Sequence, residues 1–159
     1  MATKRVLTLA VAITAAASTA VVTPLLFGSA AAAGSQSFTV VAHHVSETIV
    51  DGGKKGFSAG DNDVHTDRLT QSGHQVGWET GNCLTTRVGR KSADQLCEFV
   101  LHLAHGQIDA SGAVRAGQGG PGSFPLAITG GTGRYAAARG QIRITATNGP
   151  IPIAVEVRY

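Results

Sequence analysis

The chain has 159 residues, of which 43% are apolar, 14% charged and 5% aromatic, and its formal net charge is +3. This length suits one domain with a core of useful size, and the near-normal apolar fraction excludes wholesale disorder. Lys4 and Arg5 contribute two of the three net positive charges, so residues 34–159 carry a net charge of only +1. We therefore expect no nucleic-acid partner.

Residues 1–33 have the pattern of a cleaved secretory signal peptide. A short basic start leads into an apolar stretch at 6–17, and a run of small residues follows at 28–33, which places cleavage after Ala33. The alternative is a retained membrane anchor, although polar residues and a proline interrupt the later half of the span. We predict a secreted domain at 34–159 with no stable membrane insertion after cleavage.

From residue 34 onward the sequence predicts strand after strand. β-branched residues are spread along the chain, glycine-rich turns recur, and no stretch has sustained helical spacing. Short connections favour antiparallel pairing, and eight strands can close into a small barrel whose interior holds packed side chains or one small ligand. The predicted strands are 37–50, 63–71, 74–88, 95–104, 106–115, 122–130, 134–147 and 151–158.

The first predicted strand has two faces of similar polarity. One face carries Phe38, Val40, Ala42, His44, Ser46 and Thr48, and the other carries Thr39, Val41, His43, Val45, Glu47 and Ile49. The alternation alone does not decide which face points into the barrel.

Two cysteines flank a polar segment, 89–92, that has the composition of a hairpin turn. Arg90 is the midpoint between Cys83 and Cys97, so antiparallel pairing would bring the cysteines opposite each other. In an exported protein this arrangement predicts one disulfide, which stabilises by about 3 kcal/mol in the chain-entropy model. The alternative is a reactive Cys83 beside a free Cys97.

Three segments resemble a known family. Residues 76–83 resemble the VGxTxGxC segment of allene oxide cyclases, and residues 67–70 are similar to the second-strand motif of the family. Residues 126–142 resemble both LAITGGxGxFxxAxGQV of these cyclases and GGTGxFxxARG of plant dirigent proteins. The resemblance covers about residues 37–158 and points to the allene oxide cyclase/dirigent barrel superfamily, particularly its small secreted bacterial members.

The resemblance implies an all-β fold, an eight-stranded antiparallel barrel with a cavity entered from one end. Allene oxide cyclases fold an unsaturated fatty-acid epoxide into a cyclopentenone, and dirigent proteins hold phenolic radicals or quinone methides for stereoselective coupling or ring closure. Both act by excluding water and fixing conformation, without a cofactor. The implied function is binding of a small apolar or phenolic metabolite and guidance of its cyclisation, isomerisation or coupling.

Two other functions stay open at this point, so the chain is not assigned as an enzyme. A non-catalytic carrier would use the same cavity as lipocalins do, and a cell-envelope interaction protein with a filled barrel would need no cavity. A homo-oligomer also stays open, because plant relatives are often trimers.

The resemblance also implies candidate catalytic residues. Alignment of residues 43–46 with Tyr-Glu-Ile-Asn of the cyclases puts His44 at the position of a key glutamate, where dirigent proteins have an aspartate. Asp67 falls on a water-binding asparagine, and Cys83 falls on a cavity cysteine. We predict that His44 and Asp67 form a catalytic pair, because imidazole can act as an acid or base near neutral pH. The missing glutamate argues against allene oxide cyclisation itself.

Four further residues are candidates for substrate binding. Ser46 aligns with another water-binding asparagine and Arg139 with a dirigent arginine, whereas Trp78 and Tyr135 are aromatic residues in the matched segments. Each has a structural alternative: a satisfied hydroxyl, a solvated rim charge or packing. His44 would also face solvent if the register slipped by one residue, and Asp67 could simply pair with a neighbouring arginine or cap a turn.

Two apparent motifs are rejected. The histidines at 43, 44, 65, 74, 102 and 105 match no standard zinc spacing, so no metal site is expected. Residues 130–133 are glycine-rich, but they lack the lysine and the helix of a phosphate loop, and they predict a tight bend or bulge instead.

Overall fold

A computed structural model describes residues 34–120 and 122–159 of the chain, and the predicted signal peptide lies outside these residues. Within them the chain forms eight strands and one short 3₁₀ helix, η1. Their bounds are β1 Ser35–Val50, β2 Asn62–Gln71, β3 His74–Val88, β4 Ser92–Leu103, β5 Gly106–Gly117, β6 Ser123–Gly131, η1 Gly133–Tyr135, β7 Arg139–Thr145 and β8 Ile151–Arg158. Among the described residues, no helix has the length and apolar character needed to cross a bilayer.

The strands pair antiparallel in chain order, and β8 pairs with β1, so the sheet closes on itself. Closure gives the backbone hydrogen-bonding groups of every strand a neighbour on both sides, which removes the edges that a free sheet would expose. The all-β antiparallel barrel predicted from the sequence is confirmed.

The seventh strand begins later than predicted, at Arg139 rather than residue 134. The glycines before it turn the chain into η1 instead. Gly133 has φ +58°, and a Cβ atom there would lie 2.5 Å from the carbonyl oxygen of His105. Only glycine fits both conditions, which confirms the bend predicted for this segment.

The first strand changes face at Val45. His44 pairs with Asp67 and Ser46 pairs with Thr66, so Val45 is the extra residue of a bulge. Beyond the bulge, Glu47 rather than Ser46 is on the face that lines the barrel interior. Glu47 pairs with His65 of β2, which faces inward. The two uninterrupted faces predicted for this strand therefore hold only up to His44.

Side chains fill the barrel interior at one end, where a more open depression of about 240 Å³ remains beside Tyr135, and the other end is hollow. The packed end is filled by buried residues such as Leu101 and Ile108, together with Tyr135, whose ring meets Tyr159 edge-on at 5.3 Å between centroids. A cavity of about 250 Å³ occupies the other end, where β1, β3, β5 and β7 finish. We call this the hollow end.

Cys83 and Cys97 are directly opposite each other on β3 and β4, with a Cα–Cα distance of 4.1 Å, and they form the predicted disulfide. Both residues line the cavity. The disulfide therefore links two strands that form the wall of the hollow end.

Candidate functional site

The cavity at the hollow end has an apolar wall and a polar wall. The polar wall consists of four residues, Asp63, His65 and Asp67 on β2 and Glu79 on β3. Alternation along β2 turns residues 63, 65 and 67 inward together, and Glu79 is the direct cross-strand partner of Asp67. Most of the remaining lining residues are apolar, including Phe99, Val114, Phe124, Ile144, Ile151 and Ile153.

His65 lies between two carboxylates. Its Nε2 atom is 3.5 Å from Oε1 of Glu79, and its Nδ1 atom is 3.7 Å from Oδ1 of Asp63. The ring of Phe99 packs against the imidazole at 5.4 Å between centroids. The Glu79 side chain is only 1% exposed and that of His65 is 15% exposed, so the pair is largely shielded from bulk water.

A glycine makes room for this pair. A Cβ atom at Gly81 would lie 2.7 Å from both Oε1 of Glu79 and Nε2 of His65, and 2.9 Å from the Phe99 ring. Any larger residue there would push the imidazole or the carboxylate out of place. The geometry of the polar wall therefore depends on residue 81 being a glycine.

The surroundings shift the pKa values of these groups. Burial raises the pKa of Glu79, and the charge of Asp67 raises it further, although His65 opposes the shift. Burial alone would lower the pKa of His65, but the nearby Glu79 carboxylate, together with the charges of Asp63 and Asp67, raises it overall. Burial also raises the pKa of Asp63, against the effect of His65. Such coupled groups are typical of sites that move protons.

The two residues predicted as a catalytic pair are neighbours. Nδ1 of His44 is 3.4 Å from Oδ1 of Asp67, and the His44 side chain is 58% exposed whereas that of Asp67 is 6% exposed. His44 follows the last β1–β8 pair, Ala42 and Ile151, by two residues, so it lies at the rim of the hollow end. Titratable groups thus run from solvent at His44 through Asp67 to Glu79 inside. The catalytic role of His44 and Asp67 stays a prediction.

The four predicted substrate-binding residues are not among the described residues that line the cavity. Ser46 is on the outward side of the bulge, and Tyr135 is buried at the packed end. Trp78 is 50% exposed and stacks on His102 at 4.7 Å between ring centroids. Arg139 begins β7 away from the hollow end, and its Nη1 donates to the carbonyl oxygens of Ala138 and Thr129 at 2.6 and 3.3 Å. A role for these residues in substrate binding stays a prediction.

Sequence reasoning missed Asp63, His65 and Glu79 as site residues. A signal was present, because residues 63 and 65 share the strand face of Asp67, and residue 79 shares that of Cys83. These two groups of residues come together because β2 pairs with β3. Only the structure gives the register of that pairing.

The same wall brings together groups that metal ions bind. His65, Asp67 and Glu79 each offer a ligand atom within 4.8 Å of the others, although the spacing of the histidines in the sequence predicted no metal site. The three groups occupy one wall of a cavity whose other wall is apolar. That asymmetry suits an organic molecule, and the acid–base chemistry of the three groups needs no ion.

The structure is therefore a small closed antiparallel barrel whose interior cavity has a polar cluster on one wall. Small barrels of this class carry their site inside. The profile of the Allene oxide cyclase barrel like domain matches residues 39–150. A pyocyanin demethylase is 31% identical to the chain, with a TM-score of 0.66, and the match covers 76% of this chain and 99% of that one. The chain belongs to the allene oxide cyclase barrel-like family, and the resemblance seen in the sequence is confirmed.

More distant structures share the fold. The Diels-Alderase AbmU from Streptomyces koyangensis is 18% identical with a TM-score of 0.61, over 79% of this chain and 68% of that one. A pterocarpan synthase dirigent protein is 16% identical with a TM-score of 0.58, over 79% of this chain and 84% of that one. No curated protein sequence matches the chain significantly.

Proposed function

We propose that the barrel binds a small, mostly apolar metabolite at its hollow end and moves a proton on it, and so guides isomerisation, cyclisation or coupling without a cofactor. The observation that carries this proposal is the buried His65–Glu79 pair facing an apolar wall. The apolar wall would fix the conformation of the substrate and exclude water, and the pair would supply the acid and base.

The geometry suggests a role for each group. His65 would take a proton from one atom of the substrate and return it to another, so that the substrate loses and regains one proton in an isomerisation. Glu79 would orient the imidazole and stabilise its charged form, as a buried carboxylate beside a catalytic histidine does. Asp67 would link this pair to His44, whose exposed ring could exchange protons with solvent.

The relatives support a small organic substrate. One of them is a pyocyanin demethylase at 31% identity, and others sharing the fold are a Diels-Alderase and a dirigent protein. Pyocyanin is therefore the first compound to test with this chain. Its demethylation balances if water adds to the methyl carbon, which leaves as formaldehyde, while the phenazine ring takes up the two electrons and two protons. His65 would move these protons.

The experiment compares site variants on one substrate. The protein is incubated with pyocyanin in deuterated buffer, and mass spectrometry follows loss of a methyl group or gain of deuterium. If pyocyanin does not react, the metabolite that copurifies with the protein from its own host, identified by native mass spectrometry, replaces it. We expect His65→Gln and Glu79→Gln to lower turnover by about 100-fold or more.

The control is Glu98→Gln, which removes the same charge from an exposed position on the outer face of β4 and should leave turnover unchanged. His44→Ala and Asp67→Asn should also lower turnover but keep the dissociation constant of an uncharged substrate within about tenfold, or about 1.4 kcal/mol. Full activity in both His65→Gln and Asp67→Asn would exclude the acid–base mechanism.

A carrier is the second candidate, because apolar residues make up most of the cavity lining. Carriage predicts that a metabolite binds without being changed and that His65→Gln leaves its affinity intact. The cell-envelope alternative, which rests on a filled barrel, is disfavoured by the cavity of about 250 Å³.

We also propose that the domain works outside the cytoplasm, as the signal peptide predicted at residues 1–33 implies. The Cys83–Cys97 disulfide supports an oxidising compartment. Mass measurement of the exported protein should give an N-terminus at or near Gly34 and the loss of two protons from the cysteines. An intact Met1 in the membrane fraction would contradict this.

A further inference from the structure

Three carboxylate oxygens of the polar wall are buried without a hydrogen-bond donor among the described residues. They are Oδ1 of Asp63, Oδ1 of Asp67 and Oε1 of Glu79. Each lies 3.4 to 3.7 Å from an imidazole nitrogen, whereas a charge-assisted N–H···O hydrogen bond is about 2.7–2.9 Å long. The side chains of Asp67 and Glu79 are 6% and 1% exposed, so bulk solvent does not reach these oxygens.

The polar wall is rich in acceptors and poor in donors. An ionised carboxylate offers two acceptor oxygens and no donor. Among the described residues that line the cavity, side-chain N–H donors come only from His65 and Gln95, and neither lysine nor arginine is present. Buried acceptors without donors are unfavourable, so a molecule that fills the cavity gains most if it brings donors or positive charge.

The rest of the cavity fits the organic part of such a molecule. Phe99 and Phe124 lie among the apolar lining residues, and aromatic faces attract cations as well as apolar groups. A cavity of about 250 Å³ is far larger than a metal ion, and its apolar lining would be unused if an ion were the ligand.

We propose that the cavity selects a small organic cation, a protonated amine or nitrogen heterocycle whose N–H groups face Asp67 and Glu79 and whose body lies against Phe99 and Phe124. This inference rests on the site of the proposed function and names its substrate class. It also implies that anions are excluded, because they would meet three carboxylates across one wall.

The test uses three probes of nearly equal shape: 2-naphthylmethylamine, which is an ammonium ion at about pH 8, 2-naphthylmethanol and 2-naphthoate. Their dissociation constants are measured through naphthalene fluorescence. We expect the ammonium probe to bind at least about tenfold more tightly than the alcohol and the naphthoate to bind most weakly. Equal affinity of ammonium and alcohol, tighter binding of naphthoate, or no binding of any probe would overturn the proposal.

Matched variants assign the preference to the cavity. Glu79→Gln and Asp67→Asn should each bring the affinities of the ammonium and alcohol probes close together, because each removes a negative charge but keeps the side-chain shape. Glu98→Gln removes a charge from the outer surface and should keep the preference. A preference that survives both interior substitutions would mean that the carboxylates do not select the ligand, which contradicts the proposal.

Titration with Mn²⁺ and Zn²⁺ separates an organic cation from a metal ion. A divalent ion that binds at micromolar concentration, displaces the ammonium probe and fails to bind Glu79→Gln would make the cavity a metal site and overturn the proposal. The selectivity is measured without turnover, and His65→Gln should retain it. Retained turnover in His65→Gln with the selectivity intact therefore counts against the acid–base function alone, and wild-type turnover without any preference for the ammonium probe counts against the cation alone.

Discussion

Two buried acids in this barrel have opposite hydrogen-bonding environments. Asp61 is 4% exposed at the end of the loop between β1 and β2, where its Oδ1 accepts from the backbone N–H of Gly52 at 3.2 Å and its Oδ2 from that of Ser58 at 2.7 Å. Glu79 is equally buried, yet its Oε1 accepts no hydrogen bond from the described residues, and the nearest imidazole nitrogen is 3.5 Å away.

The difference separates a structural acid from one for which we propose a function. Asp61 exchanges hydrogen bonds to water for bonds to two backbone amides and thereby holds a loop, so its burial is compensated. Glu79 has no such donor among the described residues, so its burial lowers stability unless a ligand or a reaction uses the unpaired oxygen. Burial alone does not distinguish the two acids, but the count of donors does.

The largest expected change in stability comes from replacing Asp61, the acid whose hydrogen bonds are satisfied. Asp61→Ala leaves the backbone amides of Gly52 and Ser58 without an acceptor and should lower the free energy of unfolding by about 2–4 kcal/mol, read from urea denaturation. The control is Asp51→Ala, an exposed acid of the same loop that accepts from the backbone N–H of Gly56 at 3.2 Å. That change should stay within about 0.5 kcal/mol. Equal losses in both variants would remove the structural role of Asp61.

The second-largest effect tests whether the His65–Glu79 pair needs the space that Gly81 leaves free. Gly81→Ala should lower the free energy of unfolding by about 1–3 kcal/mol, because the new methyl group would overlap Glu79, His65 and Phe99. Gly149→Ala is the control, since a Cβ atom there meets nothing within 4 Å. If Gly81→Ala proves as stable as this control, the polar wall has more freedom than its geometry indicates.

Much of the fold could be predicted because its determinants are local in sequence. Strand alternation, glycine-rich turns and the symmetric placement of Cys83 and Cys97 about Arg90 each follow from neighbouring residues, and the structure agrees with all three. The bulge at Val45 could not be predicted, because a bulge leaves the composition of a strand unchanged and only shifts its pairing. It turned Glu47 inward in place of Ser46.

The candidate site was harder because it forms across strands. Asp67 was found through its resemblance to a family motif, but His65 and Glu79 meet only through the β2–β3 register. The early start expected for the seventh strand failed for a related reason. Gly133 excludes a side chain through contact with His105, a residue far away in sequence. Non-local contacts of this kind leave no periodic signal in one chain.

The sign of the stability change distinguishes the two acids more sharply than its size. At about pH 8, Glu79→Gln should raise the free energy of unfolding by about 1–2 kcal/mol, because an amide keeps the shape, removes a buried charge and can donate to Asp67. Asp61→Asn makes the same chemical change at the compensated acid and should lower stability, since only one of its side-chain atoms can still accept. If both substitutions destabilise, Glu79 is structural after all.

The smallest expected effect is the pH dependence of that gain. The pKa of Glu79 is raised above 4.5 in the folded state, mainly by burial, so its contribution to stability is present below pH 4.5 and is lost as pH rises through the folded value. The pKa of His65 is raised above 6.5 because Glu79 and the neighbouring acids outweigh burial, so its contribution is lost as pH rises above 6.5. Glu79→Gln removes the first contribution and, by removing the main partner of His65, weakens the second. The advantage of the variant should therefore grow as pH rises from 4.5 to beyond 6.5, in urea midpoints measured side by side with the wild type. A gain that is constant over this range would mean that neither group titrates with folding.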